Sequence, residues 1–233
     1  MDAASSQNRW RALWERLGGD GDKAADFLQP LLSAYAENGR HYHTAAHLKD
    51  VLERLDWARD ALSASGELSA LSDREKEKMF DIIELSLWYH DAVYDAKAKD
   101  NEAKSRDWLL ADAQKAGLPE ETAKAAAQLV DLTAHHKDAK TLAERIMTDC
   151  DLAILGADEK SFAAYDANIR KEYAHVPAPA YRTGRARVLK GFLEQPQIFK
   201  TGAFRDAFEQ RAKSNLAAAT RPIWRRALGF FHK

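Results

Sequence analysis

Cysteine is almost missing from this chain: Cys150 is the only one in 233 residues. That excludes an intramolecular disulfide framework and leaves nothing that points to an oxidising compartment. Glycine and proline are also scarce, at 11 and 6, so turn-dense β architectures and flexible linkers are poorly served. Strand-like alternation of β-branched and aromatic residues is hard to find anywhere. No apolar run approaches the roughly 20 residues a membrane-spanning helix needs, and the opening MDAASSQNRW lacks the apolar segment of a signal peptide. Neither sign of charge dominates. The 35 basic and 36 acidic side chains leave a formal charge of -1, which argues against a stable nucleic-acid partner and for a small ligand. A cytoplasmic protein with no transmembrane segment is the expectation.

What is plentiful is Ala, Leu, Glu, Lys and Arg, the strong helix formers. The expected fold is all-α, a single-domain helical bundle of about ten helices over residues 1–220, followed by a basic and aromatic tail, 221–233. Residues 6–17 place Trp10, Leu13, Trp14 and Leu17 on one side before Gly18-Gly19 stops the helix. Residues 22–37 follow, with Pro30 inside them. Thr44 is suited to cap a helix running through Leu48, Val51, Leu55 and Leu62. Ser72 opens the helix that leads to the stretch LSLWYHDAVYD at 85–95. Further helices are expected at 101–116, 120–135, 142–155, 158–174, 180–194 and 201–218. The alanine-rich 120–135 helix should pack closely against a neighbour. The tail RPIWRRALGFFHK suits packing back on the bundle, self-association into a homodimer, or an anionic membrane surface.

The chemistry-bearing residues are few and separated. Ile83 and Leu87 form an apolar seam that carries His90 on the next turn, with Asp91 beside it. A carboxylate and an imidazole half-sunk in an apolar face are costly unless compensated, and a cation compensates both. The alternative is a helix that ends at His90 and leaves Asp91 in solvent. Three of the 8 histidines fall within residues 41–47, at a loop-to-helix junction. The spacing of His43 and His47 matches the zinc-protease motif H-E-x-x-H, but Thr44 stands where that motif needs its glutamate, so a protease is rejected. In Asp149-Cys150-Asp151, positions two apart on a helix diverge by about 200°, so only one aspartate can face a shared site. Asp151 lies between Met147 and Leu155 on an apolar seam; a capping or ion-paired role is its alternative.

In order, the chain presents His47, then His90-Asp91, then Asp151. This pattern resembles the HD superfamily of metal-dependent phosphohydrolases. It is most similar to a bacterial subgroup carrying YHxxxH, W[FY]HDAVYD, DNExxS and DLAxLG, found here at 42–47, 88–95, 100–105 and 151–156. The likeness extends from about Trp10 to Ala218. It implies His47, His90, Asp91 and Asp151 as ligands of one divalent cation. The mixed N/O set suits Mn, Fe, Co, Ni or Zn better than Mg. The expected reaction is hydrolysis of a phosphate ester or anhydride of a nucleotide or small phosphorylated metabolite, with metal-bound water as nucleophile. Asp95 is expected four residues after Asp91 on the same helical face, where the resemblance implies a general acid or base; at the helix end it could equally be a cap. Glu102 and His43 complete the catalytic candidates. Arg40, Ser105, His136 and Arg185 are the substrate-binding candidates, with His135 as the alternative to His136, and Arg182 and Arg187 beside Arg185. Two other readings stay open. A di-iron oxygenase of the same fold needs extra histidines where this chain has only the adjacent His135 and His136. A non-catalytic metal- and nucleotide-binding sensor sits awkwardly with four intact ligands.

Overall fold

The computed structural model of the chain describes residues 3–135 and 139–221. Within them the fold is all-helical, ten helices and no strand. They are α1 (Ala3–Arg16), α2 (Gly21–Ala34), α3 (Ala45–Ala64), α4 (Asp73–Tyr89), α5 (Asn101–Lys115), α6 (Glu120–Leu132), α7 (Leu142–Leu152), α8 (Glu159–Glu172) and α9 (Ala178–Leu193). In the last, α10, Gly202–Phe204, a π-turn at Arg205–Glu209 and Gln210–Thr220 run on as one rod. No helix among the described residues is long and apolar enough to cross a membrane. The tail from 222 onward lies outside the described residues, as does His136.

The central rod is α4. It starts on a reciprocal capping box between Ser72 and Glu75, which satisfies two orphan donors at once. From Ile83 to Tyr89 every residue is buried, the mark of a helix covered on all sides. Helices α1, α3, α5, α6 and α7 pack around it. Trp10 meets Trp88 edge-on at 5.1 Å and Trp14 at 5.6 Å, and its indole N–H donates to the Ala24 carbonyl at 2.6 Å. Buried acids on α4 are each paired from α1: Glu84 by Arg9 at 2.7 Å and Asp81 by Arg16 at 2.8 Å. Left unpaired, such carboxylates would be strongly destabilising. Helix α6 uses its alanines to lie close against α4 and α5.

Three differences from the sequence expectation matter. Helix α4 stops at Tyr89 with His90 as its C-cap, so 91–95 is a turn and Asp95 does not share a helical face with Asp91. Helix α6 ends at Leu132, short of the expected 135. The 142–155 helix tightens at its end into a 3-10 turn, Ala153–Gly156.

At that turn Gly156 lets α10 come close: an added Cβ would lie 2.6 Å from the Phe208 Cβ and 2.7 Å from its carbonyl oxygen. Gly191, within α9, has nothing within 4 Å of the same position. Gly156→Ala is therefore expected to lower stability by about 1–3 kcal/mol, whereas Gly191→Ala raises it by up to about 1 kcal/mol through helix propensity. Urea unfolding of the two variants checks this, and equal effects would contradict the close approach.

Candidate metal centre

Helices α3, α4 and α7 pack mutually, and α3 begins where α4 and α7 finish. That end of the bundle gathers His47 from the first turn of α3, His90 from the cap of α4, Asp91 just beyond it, and Asp151 from the last turn of α7. The His47 and His90 Nε2 atoms are 3.1 Å apart. The Asp91 Oδ2 lies 3.4 Å from the first and 3.1 Å from the second. Asp151 brings its Oδ1 to 3.3 Å from His47 Nε2 and 3.7 Å from His90 Nε2. His47, His90 and Asp91 form a group able to hold a metal ion, their donor atoms all within 4.8 Å of one another. Donors bound to one cation by bonds of about 2.1 Å lie about 3.0 Å apart at right angles and about 3.4 Å apart at the tetrahedral angle. The observed separations fit.

The protonation pattern fits as well. His90 Nδ1 lies 2.7 Å from the Leu87 carbonyl; a carbonyl only accepts, so Nδ1 carries the proton and the Nε2 of the neutral ring is left as a donor to metal. Burial disfavours charge on His47, yet the Asp151 and Asp91 carboxylates outweigh it and hold the ring at about 10. His90 is raised in the same contest between burial and Asp91. Asp91 is held well below the usual carboxylate range, burial being overcome by His90, His43 and His47. The cluster thus demands positive charge. Two ring nitrogens 3.1 Å apart have room for a single proton between them, and a divalent cation meets the same demand with both as ligands.

The candidate ligands are held through their backbone. Arg40 donates to the carbonyls of Asp91 at 2.6 Å and Ala92 at 2.8 Å and pairs with Glu37 at 3.1 Å. The Tyr35 hydroxyl donates to the Trp88 carbonyl at 3.1 Å and accepts from the Asp91 amide at 3.3 Å. Ser105 Oγ accepts from the Val93 amide at 3.0 Å. Asp149, the aspartate turned away from the centre, accepts from the Lys200 and Thr201 amides, tying α10 to α7; burial pushes its carboxyl up to about 6.

The residue that sequence reasoning missed is Glu172, the last of α8. Its fully buried carboxylate accepts from the successive amides of His41, Tyr42 and His43 at 2.7, 2.7 and 3.0 Å. It also accepts from His43 Nδ1 at 2.8 Å and the Tyr94 hydroxyl at 3.0 Å. His43 in turn stacks on Tyr94 with ring centroids 4.0 Å apart. No local motif marks Glu172; its partners lie 78 residues away at Tyr94 and about 130 away in the segment 41–43.

The centre opens into a cavity of about 870 Å³. His43, Asp91, Asp95, Glu102, Asp151, Arg185 and His135 line it, and so does Arg187. Arg40, Ser105 and Arg182 are not part of its wall. Arg40 and Ser105 are buried in the frame, their polar groups committed to the turn after α4, so the expected phosphate contact from Arg40 and substrate contact from Ser105 give way to positioning of Asp91. Asp95 is exposed; its carboxylate accepts from the Lys97 amide at 2.9 Å, and Asn101 brackets its backbone on both sides.

The chain matches no family model, no curated protein and no solved structure.

Two outcomes follow from this geometry. Calorimetric titration of the metal-free chain with Zn or Mn is expected to give a single tight site that Asp91→Asn weakens at least roughly tenfold; equal affinities would remove Asp91 from the centre. Burial opposes the charge on Glu172, but His43 and the amides hold it down to about 2. A depressed acid contributes its full stability above its unfolded value of roughly 4.3 and loses it as pH falls through the folded value. Urea midpoints should therefore drop between about pH 5 and pH 2, and less steeply in Glu172→Gln, which is already weaker at neutral pH. Parallel curves would rule this contribution out.

Proposed function

We propose that the chain is a metal-dependent phosphohydrolase of the HD type, hydrolysing a phosphate ester or anhydride of a nucleotide or small phosphorylated metabolite. The observation that carries this reading is the set of donor separations of 3.1 to 3.7 Å beside a ligand-sized cavity that Asp91 and Asp151 line. His47, His90, Asp91 and Asp151 are the residues that would hold the cation, and their two-nitrogen, two-carboxylate chemistry favours Mn, Fe, Co, Ni or Zn over Mg. When bound, such a cation polarises a phosphoryl oxygen and lowers the pKa of a coordinated water towards neutrality.

The chain's own residues do the rest. Asp91 and Asp151 face the cavity and exclude a second anion except where positive charge bridges them to it. His43 has its Nδ1 proton fixed by Glu172 at 2.8 Å, which leaves its other ring nitrogen to take a proton from water or deliver one to the departing oxygen as the P–O bond breaks. Asp95 and Glu102 line the same cavity, where a carboxylate can orient water.

A screen of nucleotides and sugar phosphates with Mn, Co, Ni and Mg, reading inorganic phosphate and pyrophosphate separately, tests the reading. Asp91→Ala is expected to cut metal-stimulated release at least about 100-fold. Release that survives this substitution would defeat the proposal.

A further inference from the structure

We infer that the end of the cavity away from the metal centre is a subsite for a flat aromatic group bearing a hydrogen-bond acceptor, so that the phosphorylated compound is an aryl-bearing one. This rests on the phosphohydrolase reading and narrows its substrate class.

The cavity is far larger than a phosphoryl group requires and falls in the range that encloses a small organic ligand. Its wall holds five of the chain's 7 tyrosines: Tyr42 and Tyr94 pack on the His47 and His43 rings at the metal centre, and Tyr165, Tyr173 and Tyr181 carry the aromatic lining on from there. Rigid rings with polar tips hold another ring by offset or edge packing better than they hold a flexible chain. Helix α9 supplies one side. It buries only Leu189, and Tyr181, Gly184, Arg185, Val188 and Phe192, which border the cavity, recur at helical spacing on one face. Val188, at 51% exposure, is the large apolar side chain left open among the described residues, and it lies on this face.

An independent observation concerns hydrogen bonding. The Tyr181 hydroxyl and the Arg185 Nη2 are both buried with no hydrogen-bond partner, one turn apart in the same wall. Arg185 is otherwise anchored: its Nε donates to Asp166 at 2.9 Å and its guanidinium lies 4.9 Å over the Tyr165 ring. Buried donors are rarely left unmet. An acceptor on the edge of a bound ring would complete the Tyr181 hydroxyl once that side chain turns towards the cavity it lines.

The test measures binding of three phosphonates, whose carbon–phosphorus bond resists hydrolysis, to the zinc-loaded full chain by calorimetry. The expectation is that 2-naphthyl phosphonate binds at least about tenfold tighter than methyl or octyl phosphonate, and that Val188→Asp removes the advantage while leaving zinc affinity unchanged. Equal affinity for the naphthyl and methyl probes, or tightest binding of the octyl probe, overturns the inference. A second arm uses 2-naphthoate on the metal-free chain. Saturable binding that Tyr181→Phe weakens several-fold supports the subsite, and no binding or an unaffected variant refutes it. Because this arm needs no metal, failure of zinc to bind would count against the phosphohydrolase reading and leave the subsite to be judged by naphthoate.

Discussion

Two carboxylates brought within 3.4 Å of a buried imidazole require positive charge among them, and much of the architecture serves to hold them there. A carboxylate removed from water is costly unless it is paired and hydrogen-bonded. Here the pairing comes from His47 and His90, each carried by a different helix. The helices that meet at this point are also those in mutual contact through the core. The C-terminal ends of α4 and α7 meet at the site, and the negative ends of their helix dipoles add to its preference for a cation.

Around that centre the chain spends its polar side chains on backbone. Arg40, Tyr35 and Ser105 fix the turn that presents Asp91, and Glu172 gathers three amides of the segment leading into α3. This is the division of labour expected when ligands must be kept in place before anything binds: rotamers locked by packing, backbone locked by side chains from distant elements. Arg40, a cation near the mouth, illustrates how residue type alone misleads. Its guanidinium is buried with its donors committed to the Asp91 and Ala92 carbonyls, which leaves Arg185 and Arg187 as the arginines of the cavity wall.

The fold was largely legible. Trp10, Trp14 and Leu17 lie at helical spacing, and Ser72 with Glu75 reads as a helix start because capping is a local affair. His47, His90 and Asp151 were legible as polar residues on apolar seams, and the four short motifs that carry the resemblance converge on one end of the bundle. Asp95 was misplaced because the pattern at 85–95 contains no helix breaker; α4 ends where the turn is pulled away by Arg40 and Tyr35, contacts that local spacing does not record. Glu172 was invisible for the same reason. A glutamate on an amphipathic helix has no local signature that separates a solvated side chain from one that accepts five hydrogen bonds.

Local sequence thus determined what depends on neighbours in the chain: the all-helical class, most helix starts, the apolar seams, and which polar residues interrupt them. Tertiary structure decided what depends on distance in space: that two histidines and two aspartates come together where three helices meet, that Glu172 orders the segment before α3, and that five tyrosines line one cavity. The reason is physical. Helix formation is settled by interactions within about four residues, whereas a binding site is made by side chains whose separation along the chain places no limit on their distance in space.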